Sequence, residues 1–128
     1  MTNDKLQRTY DLEERTAKFG ELIITFAKSL KNNTVNNPLI NQIVRSATSI
    51  GANYMEADGA ESKKDFRHKI GICKKEAKET KHWLRMIAYA NPEHNEKCET
   101  LIQEAEELTL IFSAIINSSK KKEGKFDI

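Results

Sequence analysis

An all-α fold, arranged as an up-down-up-down four-helix bundle, is what this chain predicts, and three observations predict it. Apolar residues recur at alternating spacings of three and four in four separate segments, the mark of helices that each bury one narrow face. The breaks between those segments are short and built from Asn, Asp, Gly and Pro, which start and stop helices. Composition agrees: 31% of the 128 residues are charged and 38% hydrophobic, with 2 Pro and 5 Gly, a balance suited to long helices rather than sheets. A chain of this length reads as one domain, 1–128, able to bury a core without staples.

The first helix is expected over residues 10–32, starting near Thr9 to Asp11, with Leu12, Thr16, Phe19, Ile23, Phe26 and Leu30 as its seam. Asp11, Glu13 and Glu14 suit the positive end of its dipole, and Lys28 and Lys31 the negative end. Asn32, Asn33, Asn36 and Asn37 mark the connection. A second helix is expected over 38–58, opened by Pro38, whose missing N–H is not needed in a first turn, with Asn37 as cap. Its seam is Ile40, Ile43, Ala47, Ile50 and Tyr54; the small residues Ala47, Gly51 and Ala52 let a neighbouring backbone approach, and Asp58 and Gly59 supply the stop.

Ser62 followed three residues later by Asp65 matches a capping box and opens the third helix, 63–91. Phe66, Ile70, Cys73, Ala77, Thr80, Leu84 and Ile87 form its seam, and Asn91 and Pro92 close it. The fourth helix, 95–119, repeats the spacing with Cys98, Leu101, Ala105, Leu108, Phe112 and Ile115. Residues 120–128 read as a flexible tail.

Net charge is only +2, but its distribution is uneven. Residues 62–87 carry nine Lys or Arg against three acids, a net +6, whereas 94–119 carry one Lys against five Glu, a net −4. On the third helix Arg67, Lys74 and Lys81 form one row, Lys64, Lys78 and Arg85 the next, and His68, Lys75 and His82 a third. Cations repeated along a surface neutralise several phosphates and release their counterions. Lys64 to Arg85 spans 21 rises, roughly 32 Å. Lys63 and Lys64 also oppose the dipole of the first turn, which calls for some other reason to hold them there. The candidate nucleic-acid-binding residues are therefore Lys64, Arg67, Lys74, Lys75, Lys78, Lys81 and Arg85. With no aromatic side chain interleaved, contact would be to the backbone of RNA or DNA and weakly selective. The competing reading is a solvated face offset by the acidic fourth helix, with Arg67, Lys74 and Lys81 pairing to Glu99 or Glu106.

The other side of the third helix carries Ile72, Trp83 and Met86 among Glu76 and Glu79, and the fourth adds Leu110, Ile111 and Ile116 beside its seam. Faces this wide suit a subunit contact, with Ile72, Trp83 and Met86 as candidates, or equally a well-covered core with some apolar exposure. No catalytic residues emerge. Cys73 and Cys98 lie on apolar seams with no His at helical spacing, and read as reduced core thiols. Asp65-x-x-His68 and Glu79-x-x-His82 sit on one helix with both His outward, unlike the paired inward motifs of di-iron bundles, so no metal and no cofactor are expected. No phosphate-binding glycine loop occurs, and no small-molecule substrate is expected. Arg45 and Glu56 read as structural, paired with each other or with another subunit. The N-terminus has no apolar signal core and no run of ~18 apolar residues occurs, so a cytoplasmic protein without membrane contact is expected.

Residues 45–53 (Arg-Ser-Ala-Thr-Ser-Ile-Gly-Ala-Asn), then Glu56, Ser62-Lys63-Lys64-Asp65-Phe66, and Lys75-Glu76-Ala77-Lys78-Glu79-Thr80 leading into Trp83-Leu84 carry a resemblance. The chain resembles the four-helix-bundle proteins encoded by intervening sequences inside bacterial 23S ribosomal RNA genes. That resemblance implies a left-handed bundle assembled into a ring, a homopentamer, and kinship in fold with the basic pentameric accessory protein of diversity-generating retroelements. It implies no established biochemical activity. One departure is visible: family members commonly place Gly directly after the Glu that ends the second helix, whereas Glu56 is followed here by Ala57 and Asp58 before Gly59. The expectation is a non-enzymatic oligomeric bundle whose basic surface contacts structured RNA or an RNA–protein assembly. The alternative is a scaffold that binds only itself or another protein.

Overall fold

The computed structural model describes residues 11–126, with side chains as far as residue 122. Its helices are α1 (Leu12–Ser29), α2 (Asn36–Asp58), α3 (Lys63–Ala90) and α4 (Asn95–Phe126), with a single 3-10 turn at Pro92–His94 leading into α4. Among the described residues there is no strand. Successive helices run in alternate directions. At one end the start of α2 meets the end of α3 through Asn36 and Asn91, and Phe26 of α1 packs edge-on against His94 with ring centroids 5.7 Å apart. At the other end Leu12 of α1, Tyr54 of α2, Phe66 of α3 and Ile115 of α4 line one groove of about 720 Å³.

The three-four seams are what the helices bury. All six seam residues of α1 and all five from Cys98 to Phe112 of α4 are buried, as are Ile70, Cys73, Ala77, Thr80, Leu84 and Ile87 of α3. Burying apolar area on this scale, at ~25 cal/mol per Å², is the main force holding the helices together. The seams loosen towards the groove, where Tyr54, Phe66 and Ile115 are only half-buried. Small residues act as expected where α1 crosses α2: a Cβ on Gly51 would meet Thr16 Oγ1 at 3.3 Å.

Polar groups inside the bundle are paired. Asn36 and Asn91 exchange two amide hydrogen bonds of 3.1 and 2.9 Å, and each donates a further bond of 2.9 Å to a helix-end carbonyl, of Lys31 and Ile87 respectively. Between α2 and α3 the Ser46 and Thr80 hydroxyls meet at 2.8 Å. A dry amide or hydroxyl without such a partner costs ~1–3 kcal/mol, as much as or more than a made bond gains.

Three boundaries differ from expectation. α1 ends at Ser29 rather than residue 32, and its expected start at Thr9 or Tyr10 lies outside the described residues. α2 begins at Asn36, before Pro38, and Asn37 is not its cap: Asn33 Oδ1 accepts the amides of Val35 and Asn36 at 3.1 and 2.7 Å. Asn33 thus satisfies the orphan N–H groups of the first turn one turn earlier than the proline suggested. α4 runs on to Phe126, so residues 120–126 are helical and not a tail, consistent with the good helix propensity of the lysines at 120–122. The capping box is seen in half: Ser62 Oγ accepts the Asp65 amide at 3.0 Å.

Candidate nucleic-acid interface

α3 packs on α2 along one flank and on α4 along the other, so its cations are sorted by the direction they leave the helix. Residues seven apart fall nearly one above another on an α-helix. The row Arg67, Lys74, Lys81 leaves towards α4. Arg67 and Lys74 are half-buried there; an Arg67 Nη1 donates to Ser119 Oγ at 3.4 Å, and Lys81 Nζ lies 2.6 Å from Glu106 Oε2. Arg67 and Lys81 bridge helices of one chain, the pairing with Glu106 being one of the two alternatives the sequence left open, whereas Lys74 has no hydrogen-bond or ion-pair partner among the described residues.

Lys64, Lys75, Lys78 and Arg85 are exposed, and among the described residues they have no hydrogen-bond or ion-pair partner. His68, His82 and Tyr89 are exposed on the same side. At 100° per residue, positions 64, 68, 71, 75, 78, 82, 85 and 89 fall within an arc of about 100°, one straight stripe along the outer face of α3. Its middle is Gly71, where an added Cβ would meet nothing within 4 Å. The acids of α4 do little to neutralise the stripe. Glu104 takes Arg15 of α1 in a two-armed contact, both bonds 2.8 Å, with Glu107 3.6 Å away. That pairing raises the Arg15 pKa, chiefly through the hydrogen bond to Glu104.

The α2 flank of α3 holds a second polar cluster that sequence reasoning placed differently. Arg45 does not pair with Glu56; its guanidinium reaches Glu76 at 3.3 Å and also pairs with Glu79. Glu79 Oε2 also accepts the Trp83 indole N–H at 3.1 Å. Glu56 faces outward and holds Lys69 at 2.7 Å. The carboxylate of Glu76 is nearly buried, at 9% exposure, while the Arg45 side chain is 49% exposed, so the pair is anchored inside and open outside. The sequence signal was present, since Arg45, Glu76 and Glu79 all stand in the residues that carry the family resemblance.

Of the expected subunit-contact residues, Trp83 packs half-buried against the core of its own chain, with the His82 ring 5.1 Å away, and Ile72 and Met86 are half-buried. Leu110, expected on the same wide apolar face, is 70% exposed, and the other strongly exposed apolar side chains are Val35 58%, Met55 53% and Tyr89 89%. Cys73 and Cys98 are buried, and burial pushes their thiols up to about 12 and about 11. Among the described residues no group of three His, Cys, Asp or Glu could hold a metal ion, and no helix is long and apolar enough to cross a membrane.

Comparison with known proteins matches the chain, over residues 8–114, to the model of the 23S rRNA-intervening sequence protein family. A crystal structure of a protein of unknown function from the S23 ribosomal protein family of Bacteroides thetaiotaomicron VPI-5482 is similar, at 31% identity and a TM-score of 0.73. The match covers 81% of this chain and 96% of that one. Among curated proteins none matches.

Proposed function

The chain belongs to the 23S rRNA-intervening sequence protein family, and from that premise we propose that it is a non-enzymatic, oligomeric bundle whose basic surface contacts nucleic acid, as structured RNA or an RNA–protein assembly. The observation that carries this reading is the unpaired stripe of Lys64, Lys75, Lys78 and Arg85 on the outer face of α3. These four cations make no ion pair among the described residues, and a polyanion would supply their counter-charge. The expected seven residues thus narrow to four that engage phosphates. Arg67 and Lys81 serve the α3–α4 contact instead, and Lys74 is half-buried on the same row.

A ring of five copies is part of the proposal. Exposed Leu110 and Met55 offer apolar surface for contacts between copies. Repeating the stripe round an axis turns a weak single contact into a strong multiple one. The setting proposed is the cytoplasm. The second reading, a scaffold that binds only itself or a protein, draws on Arg67 and Lys81, because they show that part of the basic face already serves the fold.

The test is binding of a generic RNA duplex and of a single strand, followed by fluorescence anisotropy against salt, with light scattering for mass. Affinity should fall steeply with salt and be lost when Lys64, Lys75, Lys78 and Arg85 are all changed to Glu. Binding that ignores salt or survives the four changes would overturn the polyanion reading, and a monomeric mass would overturn the ring.

A further inference from the structure

Tyr89 ends the cationic stripe, and its exposure of 89% is out of keeping with its size and its place on a packed helix. Its position follows from the same arc as the cations. Arg85 precedes it by one turn, ~6 Å along the axis, and Lys78 by three turns, ~16 Å. Beyond it the chain breaks at Asn91 and enters the 3-10 turn at Pro92–His94. A groove of about 660 Å³ lies there, lined by Arg85, Met86, Ala88, Tyr89, Pro92 and Asn95. Its floor is apolar and its rim carries one cation. Among the described residues the Tyr89 hydroxyl has no hydrogen-bond partner.

We propose that Tyr89 is a base-stacking platform: it takes an unpaired nucleobase in the groove at the end of α3 while Arg85 and Lys78 hold the phosphates leading to it. The proposal rests on the polyanion reading above and sharpens it, from contact with any nucleic-acid backbone to preference for a strand that has an unpaired base at one end. An aromatic face and a neighbouring guanidinium are what an unstacked base requires, since every base has a π-face and stacking tolerates any sequence. A fully paired duplex has no base to offer the ring.

The alternative occupant is a second copy of the chain. Such a contact would place Arg85 of each copy near Glu93 of the other and leave Lys75 and Lys78 further along the stripe unused. An anionic strand engages the cations that have no partners among the described residues and lead along α3 to Tyr89, and the nucleotide is the occupant that this continuity favours.

The test compares an RNA hairpin with a flush end against the same hairpin carrying a short unpaired tail, measured by anisotropy at one salt concentration. For the unaltered protein the tail should tighten binding by about 5- to 150-fold, the range that stacking of one base supplies. Tyr89→Ala should abolish that gain and leave flush-hairpin affinity, its salt dependence and the thermal melt unchanged, while Tyr89→Phe should retain the gain. Equal binding of both hairpins by the unaltered protein would overturn the platform, as would a Tyr89→Ala loss that is the same for both. So would a change of assembly mass in Tyr89→Ala, which would assign the ring to a subunit contact. Those outcomes leave the polyanion reading standing; failure of both hairpins to bind would remove both together.

Discussion

Changing Asn91 to Ala should destabilise the bundle well beyond what one polar residue normally contributes. Asn91 is 5% exposed and its partner Asn36 1% exposed, so water reaches neither amide. The change deletes both bonds between the two amides and the bond from Asn91 Nδ2 to the Ile87 carbonyl. Asn36 keeps its bond to the Lys31 carbonyl, but its Oδ1 is left dry and without a donor. A made hydrogen bond is worth ~1 kcal/mol net and an orphaned buried group costs ~1–3 kcal/mol, so three lost bonds and one stranded oxygen give about 4–6 kcal/mol. Asn36→Ala should cost a similar amount by stranding Asn91 Oδ1. The double variant strands no amide oxygen of the pair and loses the two shared bonds only once, so its cost should fall short of the sum by at least about 2 kcal/mol. Urea denaturation followed by circular dichroism at fixed protein concentration measures all three. Strict additivity, within ~0.5 kcal/mol, would refute the claim that the pair acts as one unit joining α2 to α3.

Cys73 and Cys98 should resist a thiol reagent at pH 8 in the folded protein and react only on unfolding, because burial holds both thiols protonated. The linked effect on stability has a definite sign: the unfolded thiols ionise from about pH 9 while the folded ones do not, so stability should fall as pH rises from there towards about 11 to 12. Arg15→Lys keeps the charge but loses the two-armed grip on Glu104, and should cost about 1 kcal/mol in the same urea assay, the grip being only partly buried. Gly71→Ala should add about 0.5–1 kcal/mol to stability, since the site is open and helical; a loss instead would mean that something does pack there.

How much of this was legible in the sequence depends on which force decides each feature. Helix order and seams were, because burial follows the three-four repeat: Thr16 and Thr80 were placed on their seams and are buried despite their hydroxyls. The start of α2 was not, because Pro38 and Asn37 look like a start while Asn33 makes the cap by a local side-chain bond that no periodicity reports. The basic rows were visible as rows, but not their division. Which of them meets α4 depends on the rotation of α3 about its own axis, and Arg67 and Lys81 show the outcome. The partners of Arg45 were not legible, neither Glu56 nor another subunit being needed, since Glu76 and Glu79 stand 31 and 34 residues away on the next helix, a distance at which sequence spacing carries no geometry. Tyr89 went unnoticed because it lies off the seam and two residues before the helix break, where one aromatic residue has no pattern to belong to.

If α3 offers its outer stripe of cations to a polyanion and commits Arg67 and Lys81 to its own chain, a salt titration of variants on the two sides separates their roles. Each phosphate contact contributes ~0.9 to the slope of log affinity against log salt on duplex nucleic acid. Changing Lys75 and Lys78 together to Gln should flatten the slope by about 1.8 per engaged protomer. Lys81→Gln should leave it unchanged, because that ammonium is held by Glu106. Equal effects of the two variants, or a slope unmoved by the loss of Lys75 and Lys78, would contradict the account.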